Sequence, residues 1–270
     1  MHQLIRRKIF FFITAVGIVL FGTISQAVAQ PVKSLDQLRE TSKDDRLAFR
    51  FGFYGDFGRN YHQSQAHVYC CDEGCGIFGN GTGRSYNFGL LVEKPLVKML
   101  DLALTVGYAE RGGAFGFAID SSMRVLSTGG YTKLIRQHDY TAQLPEVITS
   151  LGVRFTPIKK LPFYLTTGFV YSIPLASSSN FKQTDAITSP SGVVFPSTNT
   201  NFKVDSEGTI SNIKSSLGLR GAIGYPFPLG KDLTASPEIN YYFPLTQTRA
   251  DYLWKIATLE GGVAIRYNIY

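Results

Sequence analysis

Apolar and polar residues alternate through eight segments of the chain, and this period of two is typical of β-strands whose two faces meet different surroundings. The apolar positions fall within 49–53, 86–92, 102–108, 147–155, 163–173, 213–225, 233–243 and 259–269. The opposite face carries ten charges, which are Arg50, Glu93, Asp101, Glu146, Arg154, Lys214, Arg220, Glu238, Glu260 and Arg266. Most segments are close to the roughly 9–11 residues that a tilted strand needs to cross a lipid bilayer.

Two further features indicate which face looks inward. The charged face mixes acidic and basic residues and is rich in glycine, which weakens a strand and is not needed on a surface bathed in water. Long charged side chains do need small neighbours if they converge on a narrow axis. Aromatic residues lie near the ends of the apolar runs, as in the girdles of membrane barrels; they are Tyr86, Tyr108, Phe155, Phe163, Tyr225 and Tyr267. The pattern predicts that the apolar face meets lipid, whereas a soluble eight-stranded barrel such as a lipocalin would turn it inward.

The connections between the segments alternate in length. Short ones at 94–98, 157–160 and 226–231 each contain proline and lysine, and long ones are expected at about 61–85, 111–143 and 174–208, with a shorter one around 246–255. Short turns on one rim and long loops on the other are the layout of outer-membrane barrels, and closure satisfies every backbone hydrogen bond inside lipid. We predict an all-β fold: an eight-stranded antiparallel transmembrane up-and-down β-barrel with short periplasmic turns and long extracellular loops.

The N-terminus has the composition of a secretory signal peptide. A basic start at residues 2–8 precedes a thirteen-residue apolar run, 9–21, and a small-x-small cleavage site at 27–29. We therefore predict a signal peptide at 1–29, a charged periplasmic arm at 30–46 and a barrel domain at 47–270.

The overall composition excludes several classes of protein. A chain that is 44% hydrophobic and 17% charged is not disordered, and no apolar run after residue 30 approaches the roughly 20 residues of a spanning helix. Without residues 1–29 the chain carries 24 basic and 20 acidic residues. This modest excess of positive charge gives no reason to predict a nucleic-acid partner.

Four stretches resemble successive hairpins of the porin-like outer-membrane β-barrel family, including the PorT-like proteins of Bacteroidetes and their relatives. They are LALTVGYAERGG at 102–113, LPEVITSLGVRFTP at 144–157, FYLTTGFVYSIPL at 163–175 and EINYYFPLTQT at 238–248. The resemblance covers roughly residues 47–270. It implies an eight-stranded barrel in the outer membrane of a diderm bacterium, and it seldom implies a defined activity.

The expected partners follow from this location. Outer-membrane lipid surrounds the barrel, and the terminal aromatic residue Tyr270 is of the type read by the barrel assembly machinery. Asn268 and Arg266 share the parity of Tyr270, while Tyr267 and Ile269 lie on the lipid face, so the sequence departs from the usual terminal signal. An envelope or extracellular protein partner is expected to bind through the loops.

The lumen admits two interpretations. An eight-stranded barrel has an interior just wide enough for its own side chains, so ten inward charges predict a lumen plugged by ion pairs. The alternative is a narrow water-lined conduit, which would make the protein a porin-like channel for ions or small solutes. The leading prediction is a structural or interaction component that acts through its loops.

The first long loop contains the densest set of chemically reactive side chains, His62, His67, Cys70, Cys71 and Cys75. In an exported chain these cysteines predict a disulfide that staples the loop, with one thiol left over, because adjacent Cys70 and Cys71 pair poorly with each other. Thiolate and imidazole would also suit zinc or copper. The spacing matches no familiar zinc module, so neither a metal nor a cofactor is predicted.

A hydrolase at the rim is the third interpretation. It would use His138 and Asp139 with a loop serine such as Ser121 or Ser122. No nucleophile motif surrounds these serines, and neighbouring His and Asp residues occur by chance. We therefore predict that the protein is not an enzyme and has no catalytic residues.

Overall fold

The computed structural model describes residues 49–67, 77–97, 99–125, 131–156, 163–189, 192–195 and 197–270. The strands are β1 Phe49–His67, β2 Ile77–Val97, β3 Leu100–Glu110, β4 Gly113–Val125, β5 Tyr131–Gln143, β6 Pro145–Phe155, β7 Tyr164–Pro174, β8 Asn180–Ser189, β9 Phe202–Thr209, β10 Ser216–Gly224, β11 Phe227–Pro228, β12 Leu233–Pro244 and β13 Trp254–Ile269. A short 3-10 helix, Ala176–Ser178, precedes β8. Within these ranges no helix is long and apolar enough to cross a membrane.

Eight of the strands close into a barrel. Their cyclic order is β1-β2-β3-β6-β7-β10-β12-β13, and every neighbouring pair is antiparallel, including β13 with β1. The eight barrel strands follow one another around the barrel in the order in which they occur along the chain. The other strands are insertions between them. The predicted eight-stranded antiparallel barrel is confirmed.

The apolar face of the barrel points outward. Phe53, Phe169 and Ile239 are 58%, 59% and 59% exposed, whereas the charged residues Glu93 and Arg266 are 3% and 4% exposed. A lipocalin-like soluble barrel would show the reverse. The outward apolar belt is therefore the surface that meets acyl chains, and the polar groups are enclosed.

The two rims of the barrel differ. At the short-turn rim β2 leads almost directly into β3, where Val97 pairs with Leu100, and the small strand β11 lies between β10 and β12. At the opposite, long-loop rim the chain inserts the hairpin β4–β5 between β3 and β6, and the hairpin β8–β9 between β7 and β10. Both ends of the described barrel, Phe49 and Ile269, pair with each other at the short-turn rim.

The long connections are mostly strands, which corrects the prediction of loops at 61–85, 111–143 and 174–208. β1 extends as far as His67, and β2 begins at Ile77, because the two backbones keep pairing beyond the apolar belt. The two inserted hairpins join through β5 and β8, and β4 pairs with β2 at Gly81. We call β4, β5, β8 and β9 the projecting sheet.

The outward orientation of the apolar belt predicts a depth-dependent cost for a charge on that surface. Leu151 lies midway along β6 and is 54% exposed, whereas Leu96 lies near the short-turn rim and is 50% exposed. Leu151→Arg should lower the free energy of unfolding from phospholipid vesicles by about 2–4 kcal/mol, and the matched control Leu96→Arg by about 1 kcal/mol or less. Urea titrations of both variants measure this. Equal costs at the two depths would contradict the placement of the belt.

Candidate functional site

Glu93 organises the half of the lumen nearest the short-turn rim. Its Oε2 accepts a hydrogen bond of 2.7 Å from Arg154 Nη1, and its Oε1 accepts one of 2.8 Å from Arg266 Nε. Arg50 lies 3.6 Å away and donates to Asp101 at 2.5 Å. One buried carboxylate thus contacts three guanidinium groups, and the second carboxylate, Asp101, helps to balance their charge.

Arg266 extends this cluster across the barrel to β12. Its Nη2 donates to Glu238 Oε1 at 2.6 Å, and its Nη1 donates to the Tyr164 hydroxyl at 3.0 Å. Tyr164 in turn donates to Glu238 at 2.5 Å, and the guanidinium carbon of Arg154 lies 3.8 Å from the centre of the Tyr164 ring. A ring of charges and one phenol therefore spans the lumen.

A second polar group lies next to this ring, on the side of the long-loop rim. Arg220 donates to Asn240 Oδ1 at 2.7 Å and lies 3.7 Å from Glu238 and 3.9 Å from Asp56. Asn240 donates from its amide to Asp56 at 3.1 Å. Glu238 joins the two groups, because it contacts both Arg266 and Arg220.

A third group occupies the upper middle of the lumen. Arg111 lies 3.6 Å from Glu146, donates to Ser172 at 3.3 Å, and covers the ring of Tyr242 at 3.9 Å. On the other wall Ser85 donates to Glu260 at 2.5 Å. Between this group and the Arg220 group lies a cavity of about 20 Å³, lined in part by Asn87, Thr105 and Tyr242. That volume holds about one water molecule.

Glycine makes this filling sterically feasible. A Cβ at Gly224 would overlap the ring of Tyr164, and a Cβ at Gly218 would overlap the ring of Tyr242. The large inward side chains therefore lie directly against glycine backbone on the neighbouring strand. This is the physical reason for the glycine-rich charged face in the sequence.

An aromatic cluster closes the lumen near the long-loop rim. Trp254, Phe115, Phe78 and Leu144 are 1%, 4%, 3% and 0% exposed and form one apolar cluster. Trp254 Nε1 donates to His62 Nδ1 at 3.0 Å, and the other ring nitrogen, Nε2, then carries the proton and donates to the carbonyl oxygen of Gly112 at 3.2 Å. Directly below, Thr258 donates to Asn60.

This geometry corrects the low-ranked metal cluster of His62, His67, Cys70, Cys71 and Cys75. Both nitrogens of His62 are engaged and the ring is 3% exposed, so His62 has no free lone pair for a metal. Side chains alternate along β1, and His62 is on the face that points into the barrel. Cys70, Cys71 and Cys75 lie outside the described residues, as do the signal peptide at 1–29 and the arm at 30–46. The loop disulfide, the signal peptide and the arm therefore stay predictions.

The structure places nine of the ten sequence-predicted lumen charges in the interior. Lys214 is not among them: it is exposed, and its backbone N–H donates to Thr248 while β10 begins only at Ser216. The left-handed backbone at Asn212, with φ of 58°, interrupts the extended chain just before it. The alternation therefore does not continue back to residue 213 as predicted.

Sequence reasoning missed two lumen charges, Asp56 and Arg111, which are 2% and 5% exposed. Asp56 keeps the parity of Arg50, so the alternation could have located it if β1 had been extended past Phe53. Arg111 stands between β3 and β4, where no strand pattern was apparent, and we find no sequence signal that would have placed it in the lumen.

The projecting sheet holds a second cluster of charged side chains. His138 on β5 is 3% exposed and its Nδ1 lies 3.9 Å from Asp185 Oδ1 on β8. Arg136 forms a bidentate pair with Asp185, and Lys203 on β9 lies 2.8 Å from Asp205 and 3.7 Å from Asp185. Burial lowers the pKa of His138 below its ordinary value, against the opposing effect of Asp185.

The His138–Asp139 pair of the hydrolase interpretation does not form. Consecutive residues of a strand point to opposite faces, and the structure brings His138 to Asp185, while Asp139 accepts a hydrogen bond of 2.9 Å from Gln137. The side chains of Ser121 and Ser122 lie outside the described part of the chain. The proposed serine arrangement therefore has no support in the geometry of its histidine.

A closed antiparallel cylinder with an apolar exterior and a charged interior defines the class of outer-membrane β-barrel proteins. Residues 36–249 match the family model described as "Outer membrane protein beta-barrel domain", and the chain belongs to that family. None of the curated protein sequences is significantly similar to it.

Solved structures with a similar fold include three bacterial surface barrels. Ail of Yersinia pestis shares 11% identity, with 82% of this chain and 100% of that chain covered and a TM-score of 0.32. Neisserial surface protein A shares 11% identity, with 81% and 97% covered and a TM-score of 0.38. OprG of Pseudomonas aeruginosa shares 12% identity, with 83% and 97% covered and a TM-score of 0.38.

The Glu93 cluster predicts a large penalty when its central carboxylate is neutralised. Glu93→Gln leaves Arg50, Arg154 and Arg266 facing one another in the lumen, and breaking a buried ion pair costs about 3–5 kcal/mol. The matched control is Glu207→Gln, which neutralises an exposed carboxylate on β9, leaves no buried charge without a partner and should cost about 0.5 kcal/mol or less. Urea titration in detergent micelles compares the two. A loss below about 1 kcal/mol for Glu93→Gln would show that the lumen is hydrated.

Proposed function

We propose that the protein is a non-enzymatic outer-membrane barrel that holds the projecting sheet outside the cell, where it contacts an envelope or extracellular protein partner. In this arrangement the signal peptide is cleaved, and the arm at 30–46 and the short-turn rim face the periplasm of a diderm bacterium. Membership of the PorT-like group is part of the proposal and is supported by the four hairpin segments alone.

The observation that carries the proposal is the filled lumen. From Arg50 at one rim to Trp254 near the other, each level contains paired charges, hydrogen-bonded side chains or packed rings. Among the described residues, the cavity between the Arg220 and Arg111 groups holds about one water. A conduit for solutes would have to separate several buried ion pairs, each at a cost of about 3–5 kcal/mol.

The second support is the exposure of the projecting sheet. β9 stands last in the strand order and pairs with β8 on one edge, and most of its residues are exposed. Within the described residues its other edge has no strand partner. A strand edge of this kind presents backbone donors and acceptors to another chain, and it favours an interaction role over transport.

Electrical recordings test the plugged lumen. Purified protein reconstituted in planar bilayers should show no steady conductance steps, because the ion-paired side chains leave no continuous water path. A general porin added to the same bilayers is the positive control, and heat-dependent migration on gels confirms that the barrel is folded. Steady open steps whose size grows with salt concentration would replace the proposal with the porin-like channel.

Protease accessibility on whole cells tests the orientation. A cleavage site inserted at 126–130, between β4 and β5, should be cut by added protease, because this connection belongs to the projecting sheet. The matched control places the same site at 157–162, between β6 and β7, where it should be protected until the outer membrane is permeabilised. Cleavage of the second site but not the first on intact cells would invert the barrel.

A further inference from the structure

Four side chains form a row across the projecting sheet. Phe117 on β4 is paired with His138 on β5, His138 with Asp185 on β8, and Asp185 with Lys203 on β9. Asp205 follows Lys203 by two residues and is the extra residue of the β-bulge in β9 opposite Gln183 and Thr184. The register thus brings one imidazole and two carboxylates together from three different strands.

The three groups converge on a common point. One ligand atom from each of His138, Asp185 and Asp205 lies within 4.8 Å of the other two. Asp185 is 0% exposed and His138 is 3% exposed, with its ring stacked on Phe117 at 5.3 Å. The Nδ1 atom of His138 is fully buried, faces Asp185 Oδ1 and has no hydrogen-bond partner.

A buried ring nitrogen without a partner requires an explanation, because such groups are normally satisfied. We propose that His138 Nδ1, Asp185 Oδ1 and an Asp205 carboxylate oxygen form a binding site for a divalent transition metal of the Zn²⁺ class. The site goes beyond the proposed interaction role, and none of its three ligands is a cysteine.

The donor set selects the ion. One imidazole nitrogen and two carboxylate oxygens suit zinc in a tetrahedral site whose fourth position is open to water or to a further ligand. Tetrahedral ligands at about 2.1 Å lie about 3.4 Å apart, so three atoms that lie within 4.8 Å of one another must approach by about 1.4 Å or less. Asp205 is the most exposed of the three and supplies this movement. Calcium prefers six to eight oxygen ligands and is a poor match.

Lys203 is a competing cation beside the proposed site. Its ammonium bridges Asp205 at 2.8 Å and Asp185 at 3.7 Å, and its side chain is 27% exposed, so it can swing into solvent. Arg136 donates to Asp185 Oδ2 from Nε at 3.0 Å and from Nη2, and from Nε to Oδ1 at the longer distance of 3.3 Å. Oδ1 is also the oxygen that lies 3.9 Å from His138 Nδ1. In the metal-bound state Arg136 remains as the group that orients the ligating carboxylate.

Metal binding would therefore cross-link β5, β8 and β9. Because the ligands come from separate strands, an ion that binds the folded sheet stabilises it over the unfolded form in proportion to the logarithm of its concentration.

Calorimetric titration of Zn²⁺ into the full-length, tag-free protein in detergent tests the site. All variants carry serine at Cys70, Cys71 and Cys75, which removes thiolate ligands. We expect about one equivalent of Zn²⁺ at neutral pH, weakened about tenfold or more by Asp205→Asn, and no binding of Ca²⁺.

Lys203→Met provides the sharpest comparison. Removing the competing ammonium should tighten Zn²⁺ binding about tenfold, whereas the control Lys182→Met, an exposed lysine on β8 that points to the opposite face, should leave it unchanged. Neither residue is buried, so both variants should fold. The proposal is overturned if the cysteine-free protein binds no Zn²⁺, if Asp205→Asn binds it normally, or if the two lysine variants behave alike.

Discussion

A cylinder of eight strands leaves an interior no wider than its own side chains, and here that space contains five arginines and six acidic residues. They are Arg50, Arg111, Arg154, Arg220, Arg266, Asp56, Glu93, Asp101, Glu146, Glu238 and Glu260. Nine of the eleven are buried, and each buried charge needs a charged or hydrogen-bonding partner at the same level of the barrel. The glycines, the tyrosine rings and the mixed signs of charge all follow from this confinement.

The direction of each barrel side chain was predictable from the sequence, whereas the partners were not. A period of two assigns Glu93 and Arg266 to one face, and the apolar belt assigns that face to the inside. Which arginine meets which carboxylate depends on the register and tilt of strands that are distant in sequence. Glu93 and Arg266 are 173 positions apart, and alternation contains no information about that distance.

The projecting sheet escaped prediction for a different reason. Its strands are not embedded in lipid, so they have no uniformly apolar face: in β5, Leu134 and Ile135 are followed directly by Arg136 and Gln137. In β1 the prediction ended too early, because Gly55 and Gly58 resemble turn residues although both are extended. His62 was grouped with cysteines that follow it closely in sequence, but its own strand turns it toward Trp254.

The length of β2 gives the projecting sheet its reach. Tyr86 marks the edge of the apolar belt on this strand, and the nine residues from there back to Ile77 extend about 30 Å along the strand. With the usual tilt of barrel strands this is about 20 Å of height, several times the depth of a layer of lipid headgroups. The same hydrogen-bonded backbone runs from the apolar belt to this height. The base of the projecting sheet is therefore fixed to the barrel well beyond the lipid headgroups.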